Sequence, residues 1–192
     1  MGFRRFVLAA AAALVVGFAG TASASVMIEA NVTEMTREAD VVAKGKVTTT
    51  ESKVSRDGKR IFTVVTLRVD EAWKGAPGKT LQIQVPGGTH GGIGQVVHGA
   101  PRFTEGEEVV VFLRAPVRGA EVQAPTLPLR VVAMAQGKLR VERNAEGNEV
   151  AAPDLSGLEL IEPGTTEPVP ATKVAPVQLQ ILEQQVKKAA LP

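Results

Sequence analysis

The sequence predicts a mainly β protein: a small antiparallel barrel with a short helix before it and an amphipathic helix after it. Three observations carry this. Runs rich in Val, Thr and Ile recur between turns marked by glycine and proline from Val41 to Arg143, which is how short strands read. No helical period alternates with those runs, which disfavours a parallel α/β sheet. Cysteine is absent, so core burial rather than disulfides must hold the chain, and thiolate metal sites are excluded.

Of the 192 residues, 1–24 are expected to be an export signal: Arg4 and Arg5 give the positive end, Phe6 to Ala19 the apolar stretch, and Ala22-Ser23-Ala24 the cleavage site. The apolar run is broken by Gly17 and Gly20 and falls short of the ~20 residues that span a bilayer. Cleavage is therefore expected to leave no transmembrane anchor and to put Ser25 at the N-terminus of a periplasmic or extracellular protein. The arginine pair also suits twin-arginine export, but Val7 stands where that signal usually has Phe, so the general secretory route is expected. The leader holds two of the 22 basic residues and none of the 20 acidic ones. The mature chain is thus formally neutral, and its overall charge indicates neither a nucleic-acid nor a membrane partner.

Residues 25–145 are expected to form the domain. NVTEMTREAD reads as a short helix with Thr33 as its cap and Glu34 in its first turn. VVAKGKVTTTESKV and IFTVVTLRVDEAW, joined around Asp57-Gly58, read as a long hairpin with Ile61, Val65, Leu67 and Val69 toward the core. Gly45 inside the first run predicts a bulge or sharp bend. LQIQV has the strict alternation of a half-buried strand, and VVVFL, from Val109 to Leu113, reads as a strand buried on both faces. LRVVAMAQ and KLRVER meet at Gly137 as a second hairpin. Residues 146–175 are rich in Pro, Gly and Thr and are expected to be linker. Residues 176–191 are expected to be a helix opened by Pro176, its stripe of Leu179, Leu182, Val186 and Ala189 docked on the barrel and Lys187 and Lys188 favouring its C-terminal end.

GGTHGGIGQVVHG, residues 87–99, carries both histidines. His90 and His98, with Glu105, Glu107 or Glu108 as a third donor, are the candidates for a metal-binding protein or metal-dependent hydrolase. Their separation matches no recurrent metal motif, so no metal, cofactor or catalytic residue is expected. GGIGQVV lacks the third glycine of a dinucleotide fingerprint and runs into β-branched residues instead of a helix, so phosphate binding is not expected. Nucleophilic catalysis lacks a G-x-S-x-G run and a base on rigid support. Asp70-Glu71 and Glu107-Glu108 read as solvated strand ends rather than a glycosidase pair. A neutral chain without tyrosine also lacks the basic groove and stacking aromatics of a nucleic-acid binder.

EADVVAKGKV, TVVTLRVDEAWKG, LQIQVPGG and EGEEVVVFL, spanning Glu38 to Leu113, resemble the netrin-like pattern shared with tissue inhibitors of metalloproteinases. A similar segment that includes the run PGG…GGIGQ…GAPRF…GE also resembles secreted bacterial proteins, some of them attached to or near matrixin-type proteases. The resemblance implies a five-stranded barrel of the oligonucleotide/oligosaccharide-binding (OB) type. It also implies metalloprotease inhibition or modulation, in which the N-terminal amine and carbonyl chelate the protease zinc. The inhibitors have a disulfide-held cysteine at that end, whereas this chain has Ser25.

The function expected is therefore that of an exported, non-enzymatic binding or accessory protein. Its contact surfaces are expected at Ser25, at the loop residues Gly87, Gly88, His90, Gly91, Gly92, Ile93 and Gln95, and along Leu179, Leu182 and Val186. The partner would be another exported protein, a metalloprotease among the candidates. The glycines at 87, 88, 91, 92 and 94 are expected to permit positive φ, with Ile93, Val96 and Val97 tucked back onto the barrel.

Overall fold

The computed structural model describes residues 25–116, 128–161, 164, 168–170 and 174–191. The expected leader, 1–24, lies outside them. In chain order the strands are β1 (Ser25–Ile28), β2 (Val41–Val54), β3 (Ile61–Lys74), β4 (Thr80–Pro86), β5 (Gly88–His90), β6 (Ile93–Gln95) and β7 (Glu108–Arg114). They continue with β8 (Arg130–Val131), β9 (Lys138–Arg143), β10 (Glu149–Pro153), β11 (Leu158–Ile161), β12 (Pro168–Pro170) and β13 (Val177–Gln178). Helix α1 is Val32–Glu38 and helix α2 is Leu179–Ala189.

The main sheet has the order β13-β10-β9-β7-β2-β3-β4, with β8 also on β7, and all its ladders are antiparallel. The long hairpin pairs Val54 with Ile61 across the Asp57-Gly58 turn. Its ladder slips at Gly45, where a Cβ would lie 2.2 Å from the Arg68 carbonyl oxygen. A side chain there would push the two strands apart, so the bend expected at Gly45 is present and glycine is what allows it.

Strand β7 shows why VVVFL is uniformly apolar. Val109, Val111 and Leu113 enter one core with Val47, Val65, Leu67, Leu81, Ile83 and Leu129, inside the curl of β2, β3 and β4. Val110 and Phe112 enter a second core on the other side of the sheet, under both helices. Alternation along one strand thus serves two cores. Leu179, Leu182 and Val186 of α2 close the second core beside Met35, Ala39 and Trp73. Lys74 donates from Nζ to the carbonyls of Thr36 and Ala39, both at 2.6 Å, and so ties off the C-terminal end of α1.

The chain is mainly β and its main sheet is antiparallel, as expected, but among the described residues no continuous ladder closes that sheet into the expected barrel. Among the described residues, strand β4 is hydrogen-bonded to the next segment at the isolated bridge Ile83↔Leu129, with Leu129 N–H donating to Gln82 O and Gln84 N–H donating to Leu129 O. Two residues later Val131 pairs with Leu113 of β7.

Three other expectations are corrected. Asn31, not Thr33, caps α1, accepting the Glu34 N–H on its side-chain oxygen at 2.9 Å. The hairpin expected at Gly137 is not a hairpin, because β8 and β9 both run antiparallel to β7, Val131 facing Leu113 and Lys138 facing Val111. One strand path is interrupted by a 3₁₀ turn, Met134–Gly137, entered through Ala133 and Met134 at φ 51° and 57°. Gly137 fits because a Cβ would lie 2.0 Å from the Val132 carbonyl oxygen. The stretch expected to be linker carries β10, β11 and β12; β10 joins the main sheet beside β9, and β11 forms a small sheet with β1 and β12.

Candidate groove beside the glycine-rich hairpin

Within residues 87–99, the stretch from Gly88 to Gln95 forms a small hairpin. Gly88 faces Gln95, Thr89 faces Gly94 and His90 faces Ile93, with Gly91 and Gly92 at the tip. Of the five glycines expected at positive φ, 87, 88, 91 and 92 adopt it and Gly94 does not. Side chains of the long hairpin hold this unit. Ile61 N–H donates to Gln95 Oε1 at 2.6 Å, Thr63 Oγ1 donates to Gly87 O at 2.9 Å, and Thr89 N–H donates to Ser52 Oγ at 3.3 Å. His90 Nδ1 lies 3.0 Å from Ser52 O; a carbonyl can only accept, so Nδ1 carries the proton there.

Ile93 and Val96 are 68% and 77% exposed, which corrects the expectation that they tuck inward. The polar bonds above fix the hairpin from its base, so its aliphatic side chains are not needed for docking.

A groove of about 650 Å³ opens between the run from Gly94 to Phe103 and the turn from Asp154 to Leu158. Val65, Val85, Phe103 and Leu158 give it an apolar lining, and His98, Arg102, Asp154 and Ser156 give it polar groups. Ser156 Oγ donates to Asp154 Oδ1 at 2.5 Å. That hydroxyl, more than any other group, holds the Asp154 carboxyl below the usual aspartate range, with the Ser156 N–H and the charges of Lys138 and Arg102 adding to it against the effect of burial. At neutral pH the groove therefore presents a fixed anion and a guanidinium. Behind Phe103, Lys138 is nearly fully buried, its Nζ 3.0 Å from Glu107 Oε2 and 5.3 Å from the Phe103 ring centre.

The N-terminal strand joins the groove from outside. Strand β1 runs parallel to β11, and Ser25 faces Leu158, a groove residue. The carboxamide of Gln136 clamps the following backbone: its Oε1 accepts from Ala30 N–H at 2.8 Å and its Nε2 donates to Ile28 O at 2.9 Å. Met27 and Ala135 share a small core with Leu155, Leu158 and Leu160, and Ala135 N–H donates to Gly99 O at 2.9 Å. Strand β1, the 3₁₀ turn and the end of the glycine-rich segment are thus one connected wall.

These positions sort the expected site residues. Ser25, Gly87, Gly88 and Gln95 sit at or beside the groove, Gly91 and Gly92 at the hairpin tip, and His90 against the long hairpin. Leu179, Leu182 and Val186 do not belong to a contact surface: they are 7%, 0% and 0% exposed, and presenting them would require undocking α2. Among the described residues no three His, Asp or Glu side chains are grouped to hold a metal ion. Two of the expected third donors are committed elsewhere, Glu105 accepting the Thr50 N–H at 2.8 Å and Glu107 pairing with Lys138.

Arg102, Gln136, Lys138, Asp154 and Ser156 went unremarked as sequence, because each stands alone in a segment without a motif. The one local signal was Asp154-Leu155-Ser156-Gly157, whose residue types favour a turn closed by its own side chains. No protein-family model matches the chain, and no curated protein matches it. No helix among the described residues is long and apolar enough to cross a membrane.

Proposed function

We propose that the mature chain is an exported, non-enzymatic binding or accessory protein that engages another exported protein in the cell envelope or the medium. The observation that carries this reading is the groove, whose apolar lining is bordered by an ordered anion at Asp154 and a cation at Arg102. Such a lining with a few placed polar groups is what specific recognition uses. The finer architecture, an OB-type netrin-like barrel, belongs to the same proposal. It is supported by the Leu129 bridge, which joins β4 through β8 to β7, and by the netrin-like order of segments from Glu38 to Leu113.

Capture from envelope and supernatant fractions tests the reading when tagged mature chain is compared with a groove-filling Ser156→Trp variant of equal stability. A partner retained by the first and lost by the second is expected. The same proteins on both, or none on either after crosslinking, would overturn it.

A second reading, inhibition of an exported metalloprotease through the Ser25 amine, gains from one observation. The pairing of β1 with β11 and the Gln136 clamp give the N-terminal segment the support that its missing disulfide would otherwise supply. One residue added before Ser25 should abolish inhibition in a panel of zinc proteases, and an extended form that inhibits equally ends the chelation mechanism.

A further inference from the structure

The β2–β3 hairpin ends in the turn Ser55-Arg56-Asp57-Gly58-Lys59-Arg60, and the glycine-rich hairpin is fastened to that same end through Ile61, Ser52 and Thr63. Two kinds of side chain therefore collect at one end of the molecule. Ile93, Val96 and Val54 are 68%, 77% and 39% exposed. Arg56, Lys59 and Arg60 are exposed and make no ion pair among the described residues. The acidic groups nearby are already engaged. Asp57 accepts from Ser55 Oγ and from Lys59 N–H within the turn, and Glu51 pairs with Lys53 at 3.0 Å. The Asp57 carboxyl is held low chiefly by the Ser55 hydroxyl, with the Lys59 N–H and the Arg60 charge adding to it, and the turn itself carries three cations against this one carboxylate.

From this juxtaposition we infer that the two hairpin tips form a peripheral docking surface for a bilayer leaflet of anionic phospholipid. Exposed aliphatic side chains bordered by cations match the boundary between acyl chains and headgroups, where branched alkyl groups leave water and guanidinium and ammonium groups meet phosphate. The surface is made of two hairpin turns, Ser55–Arg60 and Gly91-Gly92, with the exposed residues that flank them. A bilayer accommodates that shape, whereas a folded acidic partner would need a matching hollow. The charge is local, since the mature chain is formally neutral, so the contact orients the protein with this end toward the lipid. This inference does not rest on the groove reading: Val96 also borders the groove, whereas Arg56, Lys59, Arg60, Val54 and Ile93 do not line it.

Vesicle flotation of the full mature chain tests it. Binding is expected to vesicles of phosphatidylcholine mixed with phosphatidylglycerol, with none to phosphatidylcholine alone and loss at high salt. Each cation near such a surface contributes roughly fivefold, so Arg56→Ser/Lys59→Ser/Arg60→Ser should weaken binding on the order of 100-fold. Ile93→Ser/Val96→Ser should also weaken it, at an unchanged melting temperature. A Trp placed by Ile93→Trp should be quenched by brominated acyl chains while the buried Trp73 is not. Equal binding to both vesicle types, no binding to either, or variants indistinguishable from the parent would overturn the inference. So would capture by immobilised polyglutamate without vesicle binding, which would identify the surface as a site for acidic protein.

Discussion

Two regions of the molecule, the core under the helices and the segments around the groove, are held together by different physics. Under the helices, Phe112, Val110, Leu182 and Val186 are fully buried among other apolar side chains, and the contact depends on size and hydrophobicity alone. At the groove side the parts are fastened by single polar groups: the Gln136 carboxamide across β1, the Gln95 carbonyl on Ile61, Ser52 and Thr63 beneath the hairpin, and Ser156 on Asp154. The first arrangement gives bulk stability. The second fixes loop geometry while leaving surface uncovered, which is what a binding region requires.

The sharpest break in this comparison should come from the helix side. Phe112→Ala is expected to cost about 3–5 kcal/mol and Leu182→Ala about 2–5 kcal/mol. Urea unfolding should show both as a lower midpoint of the whole transition. A loss confined to the region around β1 would mean that the helices and sheet do not form the central core.

Next in size is the shared backbone between the sides. Gly45→Val places side-chain carbon against the Arg68 carbonyl and should destabilise by about 1–3 kcal/mol through overpacking, read from the same unfolding curve. An unchanged midpoint would show that β2 and β3 can separate there without cost.

Gln136→Ala should act on the groove side. It leaves the Ala30 N–H and Ile28 carbonyl without their partner, a cost of about 1–3 kcal/mol. Amide exchange should accelerate most at residues 28–30, with the strands under α2 following only by the global loss. Uniform acceleration would dissolve the distinction drawn here.

The smallest effect concerns pH. The folded-state pKa of Asp154 is lowered, so its contribution is present above the usual aspartate value of about 3.9 and is lost as pH falls through the lowered folded value. Asp154→Asn should remove that part of the acid dependence, lowering stability slightly near neutral pH and converging on the parent at low pH. An Asp154 resonance titrating at or above the usual aspartate value would contradict the hydrogen bond that defines the groove's anion.

Much of the main sheet and of the helix docked on it was legible in the sequence, because alternation and a 3.6-residue stripe are local signals. The β2–β3 hairpin around Asp57-Gly58, the alternating LQIQV, the doubly buried VVVFL and the buried face of α2 all follow from them. The cap of α1 lies two residues before the expected one because Asn31 and Thr33 are both good caps, and it is Asn31 whose side-chain oxygen accepts the Glu34 N–H. The groove side was not legible for the same physical reason that it differs. Gln136 acts on residues about a hundred positions earlier in the chain, and no period records that. Strands β10 and β11 hid in a proline-rich stretch because their order comes from pairing with β9 and β1 rather than from propensity.

The central claim, that the groove is where a partner binds, is tested most directly by a photoreactive side chain introduced at Arg102 and, separately, at Lys188 of α2 in the exporting cell. A discrete partner adduct is expected from position 102 and none from position 188. Adducts from both positions in equal yield, or from position 188 alone, would contradict the claim.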